Sequence, residues 1–209
     1  MPGTLHLLNH PLAQSFLTDI RDRQAGRDVV RERIRALSLL LFYEATRDLP
    51  HKQVRVTTPL TETDGTRVGT TVGLVPILRA GLGMVEGILE ILPDARVFHL
   101  GIFRDEQTLQ PVEYYSKLAH NPPVDVAFVL DPMLATGGSA CAAVGRLKSW
   151  GVKRVKFLGL FAAPEGLEKL NAEHPDAEVF LCAVDDHLND RGYIVPGMGD
   201  AGDRQFSGS

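Results

Sequence analysis

An α/β fold, with a mostly parallel central sheet flanked by helices, is what this sequence predicts, and three observations predict it. Short apolar runs rich in β-branched residues recur at Thr71 to Leu78, Ala95 to Phe103, Val124 to Leu130, Val155 to Phe161 and Glu178 to Val184. Helix-period patterns separate them at Leu82 to Leu92, Gly138 to Trp150 and Glu165 to His174. The whole is ordinary globular material, 209 residues of which 44% are hydrophobic and 23% charged, which excludes collagen-like, fibrous and disordered classes. Continuous apolar runs are strands buried on both faces, and helices between them are the crossovers that cover those faces. The length suits a single domain over residues 1–209.

Each element has a local reason. In the N-terminal region, about residues 1–50, Val29, Val30, Ile34, Leu37, Leu40 and Leu41 recur at three- and four-residue steps between Arg27 and Arg47, which places them on one face of an amphipathic helix. Pro50 is a stop signal, and Gln53 to Thr58 alternates β-branched with polar residues, as a half-buried strand does. A polar turn is expected at Asp64-Gly65, ahead of the first buried run. The last stretch, Gly192 to Ser209, is rich in glycine and reads either as a shaped loop or as a loose tail.

Charge and cysteine content narrow the partners. A formal net charge of -4 gives no electrostatic grip on nucleic acid or an anionic membrane, so phosphate would have to be bound locally. Cys141 and Cys182 are the only cysteines, too few for a disulfide framework and without ligand spacing. No basic-then-apolar leader and no run long enough to span a bilayer is present. The expectation is a soluble chain of the reducing cytoplasm.

The strongest chemical signal is Val129-Leu130-Asp131-Pro132-Met133-Leu134-Ala135-Thr136-Gly137-Gly138-Ser139. A buried strand delivers an acid, then a Thr-Gly-Gly-Ser turn opens a helix. Glycines let successive backbone N–H groups close on a phosphate at the positive end of that helix, and Thr136 and Ser139 add hydroxyl donors. Asp131 could accept hydrogen bonds from ribose hydroxyls. The same turn would also serve as an ordinary helix N-cap.

Arg79 follows a buried strand and precedes Ala80-Gly81, which puts it at the carboxyl edge of the sheet where α/β proteins bind ligands. Its planar fork matches two oxygens of a diphosphate, although a surface ion pair is the plainer use. Arg104 follows the next run and would bring a second cation to that edge. Residues Asp105 to Leu118, with Tyr114, Tyr115 and Lys117, lack helical periodicity and read as a water-excluding lid or as a surface hairpin. Gly81-Leu82-Gly83-Met84-Val85-Glu86-Gly87 has the look of a dinucleotide fingerprint, but the acid expected after the next strand is absent and Arg104 stands near that place. Asp185-Asp186-His187 is a weak metal candidate, since neighbours at a strand end point apart. Met84 and Met133 read as core, and Cys141 as small-residue packing rather than a low-pKa thiol.

The Asp131 segment resembles the ribose-phosphate loop of the type I phosphoribosyltransferases, and Pro132 in place of their usual second acid is typical of the uracil branch. Three further segments are similar to that branch in the same order: Val75 to Met84 to its diphosphate-side loop, Tyr114 to Leu118 to its hood, and Tyr193 to Arg204 to its base-binding segment. The resemblance implies one phosphoribosyltransferase domain with a mobile hood at about 105–118 and a base-binding segment at about 192–204. It implies transfer of the phosphoribosyl group of phosphoribosyl diphosphate to N1 of uracil, giving UMP, in pyrimidine salvage. On that implication Arg79, Arg104, Asp131, Asp200 and the loop Pro132, Met133, Leu134, Ala135, Thr136, Gly137, Gly138 and Ser139 hold phosphoribosyl diphosphate. Ile194, Gly199, Asp200 and Ala201 hold uracil through backbone groups, so that cytosine, with two positions reversed, leaves buried partners unpaired. Asp131, Arg79, Arg104 and Asp200 are the residues expected to carry catalysis. Mg²⁺ is implied as cofactor, bound through the substrate and through water at Asp200 rather than by direct protein ligands.

A homodimer or larger homo-oligomer and, in some members, a response to GTP are implied as well. No residue pattern marks a general base, and no role is expected of the last three residues, Ser207-Gly208-Ser209. Two rivals stay open, a nucleotide-sensing regulator that contacts RNA or protein, which would need a basic face, and a nicotinamide enzyme built on the glycines after Leu78.

Overall fold

The structure, a computed structural model, describes residues 4–104, 111–116 and 123–207. The chain opens with β1 (Leu5–Leu7), α1 (Pro11–Arg21), α2 (Arg27–Ala45), β2 (His51–Thr57), β3 (Glu62–Val68), β4 (Val72–Leu78) and α3 (Leu82–Ile91). It continues through β5 (Arg96–Val97), β6 (Leu100–Arg104), β7 (Pro111–Ser116), β8 (Val126–Leu130), β9 (Met133–Leu134) and α4 (Gly138–Trp150). It closes with β10 (Arg154–Ala162), α5 (Pro164–Glu173), β11 (Glu178–Val184), β12 (His187–Leu188), β13 (Ile194–Val195) and α6 (Ala201–Phe206).

The central sheet runs β1-β11-β10-β8-β4-β6-β7, with β5 beside β4 and β9 beside β10. Its pairings are parallel except β6 with β7. Starting from β4, the sheet winds first toward β6 and then back through β8, β10 and β11, so its direction reverses between β4 and β8. At such a reversal two loops leave the carboxyl edge in opposite directions and open a crevice. Side chains alternate between two cores along each strand. Leu74, Phe128, Leu158 and Phe180 pack with Leu17, Ile34 and Ile88 of the α1–α2–α3 side. Val75, Val129, Phe157 and Leu181 pack with Val144, Leu147 and Leu170 of the α4–α5 side. Each such side chain contributes about 1.5–3 kcal/mol relative to exposure, which fixes the strand ends and hence the crevice.

The predicted strands and helices appear, with instructive differences. The run Ala95 to Phe103 is broken into β5 and β6. Asp64-Gly65 lies inside β3 rather than at a turn. The chain reverses at Thr58–Thr61, where the Thr58 hydroxyl accepts from the N–H groups of Leu60 and Thr61 at 3.2 and 3.0 Å. A hydroxyl placed to satisfy turn donors outweighed the Asp-Gly pair. The N-terminal region holds β1 and α1 besides the expected helix. The glycine-rich C-terminal stretch is neither loop alone nor loose tail, for it contains β13 and α6. Part of the expected hood, residues 105–110 with Lys117 and Leu118, lies outside the described residues, while 111–116 form β7.

Candidate active site

Two loops meet at the reversal between β4 and β8. β4 ends at Leu78, the Leu78–Arg79 peptide is cis, and the Gly81 N–H returns to the Ile77 carbonyl at 2.9 Å. β8 delivers Asp131, whose carboxylate accepts the Met133 N–H at 3.1 Å. The Pro132 carbonyl accepts N–H groups from Leu160 and Phe161, both at 3.0 Å, so this loop is anchored to β10. Gly137 has φ +77 and sits where a Cβ would lie 2.8 Å from the Gly166 carbonyl oxygen. Only glycine combines that rotation with that approach. The N-cap of α4, Gly137, makes no side-chain cap hydrogen bond, so the first turn of N–H groups and the helix dipole suit an anion.

The third wall is the C-terminal segment. It carries a cis Val195–Pro196 bond, glycines at φ +54 (Gly197) and +79 (Gly199), and Asp200 as N-cap of α6, accepting the Asp203 N–H at 2.8 Å. Ile194, Gly199, Asp200 and Ala201 line one cavity of about 210 Å³ together with Asp131 and Met133 to Ser139. A neighbouring cavity of about 200 Å³ is lined by Arg79, Ala80, Asp131, Ser139, Asp200 and Gly202. Asp131 and Asp200 belong to both. Most of the residues singled out from the sequence therefore converge on one double cavity. Pro132 is buried and lines neither part, and acts through its backbone. Arg104 ends β6, beside β4, and its side chain lies outside the described residues.

Burial pushes the Asp131 carboxyl up to about 7, the Met133 N–H draws it down, and the Asp200 charge adds to the rise. This carboxyl is therefore poised to gain a proton or to be held ionised by a cation. Arg79 is more than half exposed and pairs with Asp203 at 3.2 Å. Burial likewise raises both thiols, Cys141 and Cys182, to about 12, so neither is a reactive thiolate. Asp185 is no metal ligand, since its carboxylate is taken by Arg21 at 2.6 and 2.8 Å. Met84 is core as expected, but Met133 is half-buried and faces the cavity.

Some participants were given no individual role by the sequence. Gly192 and Tyr193, within the segment expected at about 192–204, line the cavity of about 210 Å³. Gln205 is fully buried and donates to the carbonyls of Ala80 at 3.1 Å and Ala201 at 2.8 Å, tying α6 to the β4 loop. Arg204 donates to the carbonyls of Met198 at 3.1 Å and Asp22 at 2.6 Å, and to that of Ile20. A polar residue near a chain end gives no hint that it is buried. Gly83, part of the apparent dinucleotide fingerprint, is explained by Gln205, whose Oε1 occupies the space of a Cβ.

Comparison with known proteins agrees with this geometry. The family model described as Uracil phosphoribosyltransferase matches residues 7–208. A protein of Roseiflexus sp. (strain RS-1) named uracil phosphoribosyltransferase is 58% identical over 197 residues, 94% of this chain and 95% of its own. The solved structure of the AQ2163 protein from Aquifex aeolicus superposes with a TM-score of 0.93 at 36% identity, covering 98% of each chain. The adenine phosphoribosyltransferase of Leishmania donovani, at 12% identity, shares the fold with a TM-score of 0.60 over 88% of this chain and 85% of its own.

Proposed function

The chain belongs to the uracil phosphoribosyltransferase family, and we propose a division of labour within its double cavity for that reaction. The enzyme transfers the 5-phosphoribosyl group of phosphoribosyl diphosphate to N1 of uracil, giving UMP and diphosphate. The Ala135 to Ser139 loop and the N-terminus of α4 take the 5-phosphate through backbone N–H groups. Asp131 accepts from the ribose hydroxyls, with Pro132, Met133 and Leu134 shaping the loop. Arg79, with Arg104 from the adjoining strand, takes the departing diphosphate. Ile194 and Gly199 to Ala201 present backbone groups to the uracil edge, and Asp200 stands between base and diphosphate. The convergence of Asp131, the phosphate loop and the base segment on one cavity carries this reading.

Phosphoribosyltransferases generally use Mg²⁺ with phosphoribosyl diphosphate, and the residues here fit such an ion. Asp131 and Asp200 line the same space, and their mutual repulsion helps to raise the Asp131 carboxyl, which a cation would relieve. Among the described residues no cluster of three or more His, Cys, Asp or Glu could cage a metal. The fit is to a hard cation held by substrate oxygens and water, with the carboxylates around it. When bound, Mg²⁺ supplies neutralisation of charge on the leaving diphosphate. The chain's own part is positioning and electrostatic stabilisation of an oxocarbenium-like transition state with water kept out. The hood at about 105–118 belongs to this reading as the water-excluding element, and residues 1–209 as one domain.

Homo-oligomerisation, a cytoplasmic location and a response to GTP complete the reading by family likeness. No helix among the described residues is long and apolar enough to cross a membrane. The test is UMP formation from uracil, phosphoribosyl diphosphate and Mg²⁺ beside cytosine, hypoxanthine and orotate. Product from uracil alone is expected. Product from another base would overturn the assignment of Ile194 to Ala201.

A further inference from the structure

The turn that joins the two halves of the base segment is gripped from outside the cavity. Ile194 stands before this turn and Gly199 to Ala201 after it. At its centre Gly197, at φ +54, packs its Cα against the Ile194 carbonyl, leaving no room for a side chain. Both peptide groups of Gly197 are held. Its N–H donates to Asp185 Oδ2 at 2.8 Å, and its carbonyl accepts from Arg21 Nη1 at 2.9 Å. Arg21 closes the ring by forking onto Asp185, Nη1 to Oδ2 at 2.8 Å and Nη2 to Oδ1 at 2.6 Å.

The supports of this ring are themselves rigid. Asp185 follows β11 directly and its N–H donates to the Ala162 carbonyl at 2.8 Å, so its backbone is fixed to the sheet edge. The Arg21 guanidinium lies over the Phe161 ring, 4.4 Å from its centroid. The Asp185 side chain is 6% exposed and that of Arg21 28%, so the bidentate pair is shielded enough to hold its geometry. Neither side chain lines the double cavity.

We propose that Arg21 and Asp185 are positioning residues for the base, a pair that fixes the spacing between Ile194 and Gly199–Ala201 by holding both peptide groups of Gly197. The proposal rests on the assignment of those residues to uracil in the preceding section. Backbone recognition is sensitive to such spacing, because shifts of about 1 Å can cost on the order of 100-fold in rate. A clamp on the base segment should leave the phosphate loop of α4 undisturbed and reach phosphoribosyl diphosphate only through Asp200 and α6, so uracil should suffer far more than phosphoribosyl diphosphate, and that difference provides the test.

The experiment compares wild type with Arg21→Met, Arg21→Lys and Asp185→Asn. The asparagine keeps an acceptor for the Gly197 N–H while removing the ion pair. The Michaelis constants for uracil and phosphoribosyl diphosphate are measured separately, together with the thermal shift given by phosphoribosyl diphosphate and Mg²⁺. Arg21→Met should raise the uracil KM at least about tenfold, while the phosphoribosyl diphosphate KM, whose contact on this segment is Asp200 alone, rises by no more than about threefold and its thermal shift is largely kept. Arg21→Lys and Asp185→Asn should fall between, and these milder variants decide the matter if Arg21→Met does not fold. An unchanged uracil KM, or parallel loss for both substrates, would overturn the clamp. A wild-type protein that makes no UMP, yet is stabilised by phosphoribosyl diphosphate, would instead overturn the uracil assignment on which it rests.

Discussion

Arg79 Nη2 lies 3.2 Å from Oδ1 of Asp203, so the cation at the end of β4 leans on the first turn of α6. The side chains are 60% and 47% exposed, and such a pair is worth about 0–1 kcal/mol. A diphosphate with several charged oxygens competes for the same guanidinium. Asp203→Asn should therefore lower the KM for phosphoribosyl diphosphate, by no more than about fivefold. Steady-state kinetics check this, and a higher KM would mean that Asp203 holds Arg79 in place rather than competing for it.

Gln205 lies across the seam between the same two segments, with both amide hydrogens given to carbonyls and its Oε1 buried without a partner. Gln205→Glu would set a carboxylate against those carbonyls, and it should cost about 3 kcal/mol or more. Gln205→Met, of similar shape, loses two hydrogen bonds but also removes the unpaired oxygen, and should cost about 1 kcal/mol. Urea unfolding of the two variants gives the order directly. Equal losses would show that packing, not hydrogen bonding, is what the residue contributes.

Two glycines of the α4 region should respond oppositely to alanine. Gly137 has φ +77, and a Cβ there would stand 2.8 Å from a carbonyl oxygen, whereas a Cβ on Gly145 would meet only the His174 ring at 3.7 Å. Gly145→Ala should stabilise by up to about 1 kcal/mol. Gly137→Ala should destabilise by about 1–3 kcal/mol and raise the KM for phosphoribosyl diphosphate more than tenfold. Denaturant midpoints and the KM values test both, and a Gly137→Ala enzyme with normal KM would remove that turn from the phosphate site.

The parts of the fold legible in the sequence are those governed by period. β11 and α4 lie where apolar spacing puts them, because burial on a sheet or helix face repeats along the chain. The Asp131 loop was legible for a related reason, since acid, glycines and hydroxyls are consecutive there. Arg21 and Asp185 were not, being 164 positions apart and meeting only when α1 packs beside β11. Helix α6 was hidden because its one turn and a half is held by tertiary bonds from Arg204 and Gln205 and not by an apolar stripe. The break between β5 and β6 reflects pairing to different halves of β4, which composition does not encode.

Asp131 ties stability and activity to pH in opposite directions. A carboxyl in an unfolded chain titrates near about 3.9, whereas burial raises that of half-buried Asp131 to about 7. Between those values the folded state binds more protons than the unfolded one, so stability falls as pH rises through this window, and the loss is complete above the folded value. Asp131→Asn removes the titration. Relative to wild type, it should be about 4 kcal/mol more stable at pH 8 and changed by less than about 1 kcal/mol at pH 4, where the folded carboxyl is neutral and the unfolded one is only about half ionised. Catalysis needs the other form, because only the carboxylate offers full acceptor capacity to ribose hydroxyls and charge to a cation. Wild-type kcat/KM for phosphoribosyl diphosphate should climb with pH to a plateau above about 7, and Asp131→Asn should lose at least about 100-fold on that plateau. Thermal melts and rate profiles from pH 4 to 9 test both halves. A variant whose stability gain is the same at pH 4 and pH 8 would show that the gain does not come from this carboxyl, and near-normal activity would take Asp131 out of the reaction.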